Sequence, residues 1–433
     1  MSQDDVPGKR VEVRNVTGLS AVEICAGAGG QSLGLELAGF RHKLAVELDG
    51  NACETLRANH SEWDVRQGDV ADRSVWDPAE FPGTDLLAGG VPCPPFSIAG
   101  RQLGATDERD LFAWAVELAG RMKPRALLLE NVRGLSMPRF SAYRQHVKDR
   151  LRDLGYWSDW QLLQASDFGV PQLRPRFVLV ALRDEDAPWF EWPEPRPCTE
   201  TVGSLLRDLM GARGWPGADA WAERAAGIAP TIVGGSKKHG GADLGPTRAK
   251  AAWKLLGVDA MGVADEAPGP SAPVNHLPKL TTDMVARIQG WVGPEYEWTF
   301  TGRKTSRYRQ IGNAFPPPVA RAVGQAIASA LNHEGGPKQL TDVREEITHD
   351  RLYLALKSAR TPLTERELVK LSGERMDAPT FERRMAMLSR DFVIDEDDQL
   401  GGRAYRLIGF KGFVGQKDHE RHARFAEMRA RIS

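Results

Sequence analysis

Residues 19–48 read LSAVEICAGAGGQSLGLELAGFRHKLAVEL, and the fold follows from how this stretch is read. Residues 20–24 are a short apolar run of strand length, followed by the glycine-rich turn Cys25-Ala26-Gly27-Ala28-Gly29-Gly30. Apolar positions then recur at helical spacing over 31–38, and 43–47 returns to a strand pattern. Strand, turn, helix and strand in this order build a parallel pair. Glycines at the strand-to-helix turn let backbone approach a ligand and aim helix N-terminal N–H groups at it. The second strand ends on Glu47, about 20 residues on, where an acid partners ribose hydroxyls in nucleotide sites. Together the two signals favour an adenosine-type ligand over a simple tight turn. Asp69, after a third apolar segment, is either a further contact or a surface turn acid.

Outward from this stretch the alternation continues. Residues 85–88, 126–129 and 177–181 read as buried strands, and 50–59, 110–122 and 140–154 as the helices between them. Such alternation implies a mostly parallel sheet covered on both faces, with ligands outside the carboxyl ends of its strands. The first part of this domain is placed at 1–183. From 184 to 275 the texture changes to irregular Trp, Pro and Gly, which predicts a small loop-dominated domain. Regular patterning returns in 276–335, where Val319, Val323, Ile327 and Leu331 share a helical stripe expected to pack on the sheet. A linker at 332–337 leads to a separate segment, 338–433. There Thr364 and Glu367 form a capping box flanked by Leu363 and Leu368, so a helix starts at Glu365. A second helix from about Thr380 should bury Phe381, Met385 and Leu388. Residues 392–394 and 405–408 then flank an acidic hairpin, completing the order of a winged helix.

The chain has 433 residues, and its 57 Lys+Arg against 58 Asp+Glu exclude binding of nucleic acid by gross charge, leaving room for a local basic cleft. An apolar fraction of 41% is enough to fold. The four cysteines are scattered without a C-x-x-C pair, so neither a zinc ribbon nor a disulfide framework is expected. No apolar run approaches the ~18 residues of a membrane span, and the opening residues lack the apolar core of a signal peptide. A soluble, cytoplasmic protein without a membrane partner is expected.

Four further groups carry chemistry. Cys93, in Gly89-Gly90-Val91-Pro92-Cys93-Pro94-Pro95-Phe96-Ser97, follows a strand end, where a nucleophile belongs; its alternative is a buried small hydrophobe. Glu130, in Glu130-Asn131-Val132, is either a strand-end surface charge or an acid facing a ring nitrogen, held protonated by desolvation. In Gln172-Leu173-Arg174-Pro175-Arg176 alternation sends Arg174 and Arg176 to one side, toward a site or a solvated face. Lys237, Lys238 and His239 lie in a glycine-flanked loop that suits groove entry or is a plain surface loop.

These residues, in this order, resemble DNA cytosine-5 methyltransferases of the bacterial restriction-modification type. Glu23–Gly30 looks like the family's cofactor loop, Pro92-Cys93 with Phe96-Ser97 its nucleophile motif, Glu130-Asn131-Val132 its acid, and 172–176 its basic motif. Arg309-Gln310-Ile311-Gly312-Asn313-Ala314 matches the closing cofactor motif. The resemblance covers about 19–331. It departs at Cys25, where the family usually has Phe; at Glu23, often Asp; and at Pro94, where most bacterial members have Gln. Pro94-Pro95-Phe96 also echoes exocyclic amino methyltransferases, but those need no thiol, so Cys93 and Glu130 favour carbon methylation.

The resemblance implies an α/β fold: a doubly wound S-adenosylmethionine-dependent methyltransferase (Rossmann-like) domain and a small loop-rich target-recognition domain at 184–275, while the C-terminal winged-helix-like domain at 338–433, read from its element order, goes beyond the family. Cys93, Glu130, Arg174 and Arg176 would be catalytic, with Arg174 behind Arg176. S-adenosyl-L-methionine, leaving as S-adenosyl-L-homocysteine, would be held by Ile24, Cys25, Ala26, Gly27, Gly29, Gly30, Glu47, Leu48, Asp69, Val70, Pro92, Asn313 and Ala314, without a metal. Double-stranded DNA would be met by Ser97, Arg101, Gln102, Lys237, Lys238, His239 and Arg248, with 97–106 as a lid over a flipped-out cytosine. Arg383, Arg384 and Arg390 would face phosphate, or lie on a dimerisation surface. A monomeric core with a cognate restriction endonuclease is expected. The rival readings are a tRNA cytosine methyltransferase of the same fold and a DNA-binding regulator with a vestigial methyltransferase domain.

Overall fold

The computed structural model describes residues 18–91, 109–234, 242–338, 350–397 and 403–411. Pro92, Cys93, Ser97, Arg101, Gln102 and the rest of the expected lid, together with Lys237, Lys238 and His239, lie outside the described residues. The first body is β1 (Ser20–Ile24), α1 (Gly30–Leu37), β2 (Arg41–Glu47), α2 (Gly50–Asn59), β3 (Val65–Gln67), β4 (Leu86–Gly90), α3 (Arg109–Met122), β5 (Ala126–Val132), α4 (Ser141–Asp153), β6 (Tyr156–Gln164), β7 (Gln172–Leu173) and β8 (Pro175–Arg183). Seven of these strands form one sheet in the order β3-β2-β1-β4-β5-β8-β6. The first five run parallel, as expected, but β8 is antiparallel to both β5 and β6. Strand β6 was not anticipated: its buried positions alternate with Trp157, Asp159 and Gln161, so it lacks the continuous apolar run sought for a buried strand.

Both sheet faces are buried, by residues alternating along each strand. On one face Val22, Ile24, Leu87, Leu127 and Leu129 pack with Leu111 and Phe112 of α3 and Tyr143 and Val147 of α4. On the other, Ala21, Leu86, Leu128 and Val178 meet Leu35 of α1 and the stripe Val319, Val323, Ile327 and Leu331. That stripe belongs to α10 (Pro317–Leu331), which returns to the sheet as expected. The contact with α1 is close because Gly34 is bare: a Cβ there would lie 2.5 Å from the Ala320 Cβ and 2.6 Å from the Pro317 carbonyl.

The segment after β8 is better ordered than its composition suggests. It folds into α5 (Val202–Gly211), α6 (Ala218–Arg224), β9 (Ala229–Pro230) and α7 (Thr247–Leu255) around the fully buried Trp221 and Trp253. Large aromatic side chains supply enough apolar area to fix short helices. The same core continues through Met284, Val285 and Ile288 of α8 (Thr282–Ile288) and Tyr308 and Ile311 of α9 (Lys304–Asn313). The boundary expected at 275 therefore divides one hydrophobic core, and the chain rejoins the sheet only at Phe315 and α10.

The C-terminal segment contains α11 (Arg351–Ser358), β10 (Leu363–Thr364), α12 (Glu365–Ser372), α13 (Ala378–Asp391), β11 (Phe392–Asp397) and β12 (Ala404–Phe410), with the strands ordered β10-β12-β11. The Thr364–Glu367 capping box is present, and Phe381, Met385 and Leu388 are buried. This segment rests on α4: Ala142 shares its core, His146 stacks on Phe410 at 4.2 Å, and Lys357 pairs with Asp149. Burial pushes the His146 imidazole down to about 4, so it packs as a neutral ring near neutral pH. Arg384 departs from expectation, because its guanidinium is spent on Asp350 and Glu374. Arg383 and Arg390 are exposed. No described helix is long and apolar enough to cross a membrane.

The α1–α10 contact is testable. Gly34→Val should lower the urea midpoint by an amount corresponding to about 1–3 kcal/mol, the usual cost of overpacking; an unchanged midpoint would show that the two helices do not meet closely at this position.

Candidate active site

The glycine turn opens at the carboxyl end of β1, between β2 and β4, where the strand order reverses. Cys25, Gly27 and Gly29 have φ of 51°, 58° and 95°, so three residues of this turn adopt left-handed backbone. Glu47, ending β2, accepts from the N–H of Gly27 and the N–H of Asp49, each at 2.8 Å. Desolvation raises its pKa, with those backbone bonds opposing the shift. Asp69, just past β3, is buried and accepts from the Ala71 N–H at 2.9 Å. Val70 is buried beside it, and Leu48 is half-buried after Glu47.

The turn is gripped from the return segment. A Cβ on Gly30 would lie 2.4 Å from the Phe315 carbonyl and 2.9 Å from the Ala314 Cβ; one on Gly29 would lie 2.3 Å from the Trp298 ring. Trp298 also donates its indole N–H to the Ala28 carbonyl at 2.9 Å. Ala314 is thus brought against the turn together with its neighbour Asn313, which is exposed and faces Gly234. Ile24 and Ala26 are buried in the strand end and turn. Trp298 was missed by sequence reasoning: it lies in an irregular stretch, 270 residues from its partner, and no local signal marks it. Gln31, the second residue of α1, was missed as well; it is 3% exposed, and neither amide heteroatom has a partner among the described residues.

On the other side of β1, Gly90 of β4 is in register with Glu130 of β5, and Val132 with Arg176 of β8. Because β8 runs antiparallel, its beginning lies at the same sheet edge as the ends of β4 and β5. Glu130 and Arg176 are diagonal neighbours on one face, and Arg176 Nε lies 2.6 Å from Glu130 Oε1. Both are 8% exposed. Burial raises the Glu130 pKa, with Arg176 and then Arg174 pulling it back; burial lowers that of Arg176, with Glu130 opposing. Asn131 donates its side-chain amide to the Val91 carbonyl at 3.2 Å, anchoring the chain just before Pro92-Cys93.

Arg174, expected behind Arg176, is 1% exposed, and its donors go elsewhere: to the carbonyls of Ile232 at 2.6 Å, Gly312 at 2.8 Å and Ala314 at 2.9 Å. Gln172 adds bonds to the Ile288 carbonyl, the Gln289 side chain and the Ile232 N–H. The motif at 172–176 thus ties Ile232 of the 184–275 segment and residues 312–314 to the sheet, and only Arg176 meets Glu130. Arg248 is exposed near the start of α7. Among the described residues Glu36, His60 and Glu62 have ligand-like spacing, but His60 already bonds both acids, at 3.0 and 2.9 Å, and stacks on Trp63 at 4.1 Å.

Comparison with known proteins agrees with this geometry. A family model described as C-5 cytosine-specific DNA methylase matches residues 19–329. The chain is 62% identical over 415 residues to Type II methyltransferase M.NaeI of Lentzea aerocolonigenes, covering 96% of this chain and 99% of that one. It is 49% identical over 318 residues to Type II methyltransferase M.NgoMIV of Neisseria gonorrhoeae, covering 73% and 99%. The alignment with the first takes in most of the C-terminal segment, whereas the second protein is too short to carry it as well. A crystal structure of a Spodoptera frugiperda DNMT2 mutant shares the fold, with a TM-score of 0.50 at 16% identity over 72% of this chain and 99% of that one.

The buried ion pair makes stability depend on pH. Arg176→Met removes the charge that opposes desolvation of Glu130, so the folded-state pKa of Glu130 rises further above its unfolded value. A raised carboxyl pKa contributes stability that is present below the unfolded value and lost as pH climbs through the folded one. Urea unfolding of Arg176→Met should therefore show a larger loss of stability at pH 8 than at pH 5. A loss equal at both pH values would mean that Glu130 is not facing Arg176.

Proposed function

The chain belongs to the C-5 cytosine-specific DNA methylase family, and from that premise we propose that it methylates C5 of a cytosine flipped out of a specific double-stranded DNA sequence, within a restriction-modification system. The observation that carries the reading is the buried Glu130–Arg176 pair set beside the glycine turn at one sheet edge.

Cytosine C5 is a weak nucleophile, so electron density must be driven onto it. In this proposal the Cys93 thiolate adds to C6 while Glu130 gives a proton to N3 and accepts from the exocyclic amine. The resulting enamine attacks through C5. Loss of the C5 proton to solvent, followed by expulsion of the Cys93 thiolate with return of the N3 proton to the Glu130 carboxylate, then leaves neutral 5-methylcytosine and the starting protonation state. A carboxyl with raised pKa holds the proton this step needs nearer neutral pH. Arg176 orients Glu130 and balances its charge when ionised, and it faces the base O2 or an adjacent phosphate. Arg174 acts as a positioning residue, holding the 310–314 motif in place. Flipping costs a few kcal/mol of unstacking, which contacts from 97–106 would offset.

S-adenosyl-L-methionine supplies an electrophilic methyl group when bound and leaves as S-adenosyl-L-homocysteine. The residues present fit it: a turn whose glycines admit no Cβ against Trp298 and Phe315, a desolvated acid in Glu47, and a buried amide in Gln31 that has no partner among the described residues. Glu47 would take the ribose hydroxyls, and Asp69 the adenine amine between Leu48 and Val70. Pro92, Asn313 and Ala314 would close the pocket. The 184–275 segment would read the sequence through Lys237, Lys238, His239 and Arg248, and the C-terminal winged-helix-like domain would add contacts through Arg383 and Arg390.

Bisulfite sequencing of DNA from cells expressing the chain should reveal methylated cytosines in one short motif; their absence would move the substrate to RNA. Cys93→Ala should abolish transfer while retaining DNA binding. Glu130→Gln should lower kcat by about 10²–10⁴-fold and remove the limb of the pH profile on which rate falls as pH rises through the raised carboxyl pKa. Replacing Lys237 and Lys238 together should weaken DNA binding and flatten its salt dependence; unchanged affinity would exclude that loop from the interface.

A further inference from the structure

Gln31 is a polar side chain in a place that wastes it. It lies in the first turn of α1, directly after Gly29-Gly30, and both its Oε1 and its Nε2 are buried without a hydrogen-bond partner among the described residues. An amide stripped of water with nothing in exchange is costly, so buried polar atoms of this kind call for a partner from outside the fold. The surroundings indicate what that ligand must offer. The position that a Cβ on Gly90 would occupy lies 3.6 Å from Glu130 Oε2, 3.7 Å from the Cys25 carbonyl and 3.9 Å from Gln31 Oε1. Three oxygens from β5, the glycine turn and α1 thus converge over Gly90, at the carboxyl ends of β1 and β4 where the strand order reverses. Such a cluster attracts a nitrogen donor, and best a cationic one carrying several N–H groups.

We propose that Gln31 binds the α-ammonium group of the cofactor's amino-acid end through Oε1 and its carboxylate through Nε2. An amide, with one acceptor and one donor side by side, matches a zwitterion that needs both. Gln31 then separates cofactors with an intact aminocarboxypropyl chain from adenosine thioethers without it. The inference rests on the cofactor reading above. In the reaction proposed above, the exocyclic amine of the target base is the other nitrogen donor that would approach Glu130.

Isothermal titration without DNA tests it, using S-adenosyl-L-homocysteine and 5′-methylthioadenosine, which keeps the adenosine thioether and lacks the amino-acid end. Gln31→Met preserves side-chain length and deletes both orphaned atoms. It should weaken S-adenosyl-L-homocysteine by about 10–100-fold, the loss of hydrogen bonds to charged groups, and leave methylthioadenosine within about twofold. Its melting temperature should match or exceed that of the wild type, because no unsatisfied amide remains. An unchanged affinity for S-adenosyl-L-homocysteine overturns the assignment, as does equal weakening of both ligands. So does a loss seen only in discrimination between DNA bearing the target cytosine and the same duplex with an abasic site, which would assign Gln31 to the base. If the wild type binds neither adenosine compound, the cofactor reading fails together with this one, a result distinct from failure of Gln31 alone.

Discussion

The arrangement depends on the direction of one strand. Because β8 runs against β5, the segment 172–176 enters the sheet at the edge where β1, β4 and β5 end. Arg174, buried there, must find acceptors for a cation that cannot lose its proton, and it takes three backbone carbonyls from Ile232, Gly312 and Ala314. Those carbonyls belong to the 184–275 segment and to residues 312–314, so one guanidinium joins three parts of the chain. Arg176, two residues on, is then delivered to Glu130 at 2.6 Å.

The same edge carries two electrostatic tasks kept apart by strand order. Toward β2 lies Glu47, desolvated and held by N–H groups of the glycine turn and of Asp49. Toward β5 lies Glu130, desolvated and countered by Arg176. The environments differ, backbone N–H groups around one and a guanidinium beside the other, so two carboxyls of similar intrinsic acidity are placed in different electrostatic settings. Gly90 and Gln31 lie between the two.

The C-terminal segment is an addition fixed to the back of this machinery. It packs on α4 through Ala142, the His146–Phe410 stack and the Lys357–Asp149 pair. Helix α4 in turn packs through Tyr143 and Val147 on the sheet face opposite α1 and α10. A contact of this kind holds the module at a set orientation and leaves the face bearing α1 and α10 uncovered by it.

Much of this was legible in residues close together in the chain. The strand, glycine turn, helix and acid of 19–48, the capping box at Thr364 and the burial of Phe381, Met385 and Leu388 follow from periodicity and turn chemistry acting over a few residues. The positions of Glu130 and Arg176 at strand ends were legible for the same reason. Their pairing was not, since it needs the antiparallel sense of β8, and β6 escaped because Ser158, Asp159, Gln161 and Gln164 interrupt its apolar run. The occupation of Arg174 by carbonyls up to 140 residues away, the grip of Trp298 on Ala28, the burial of Gln31 and the diversion of Arg384 to Asp350 are contacts between distant segments. Local pattern determines which elements form and where chemistry-bearing residues sit on them. Which of those residues meet, and which are left buried without a partner, was decided by the order and direction in which the tertiary structure assembles the elements.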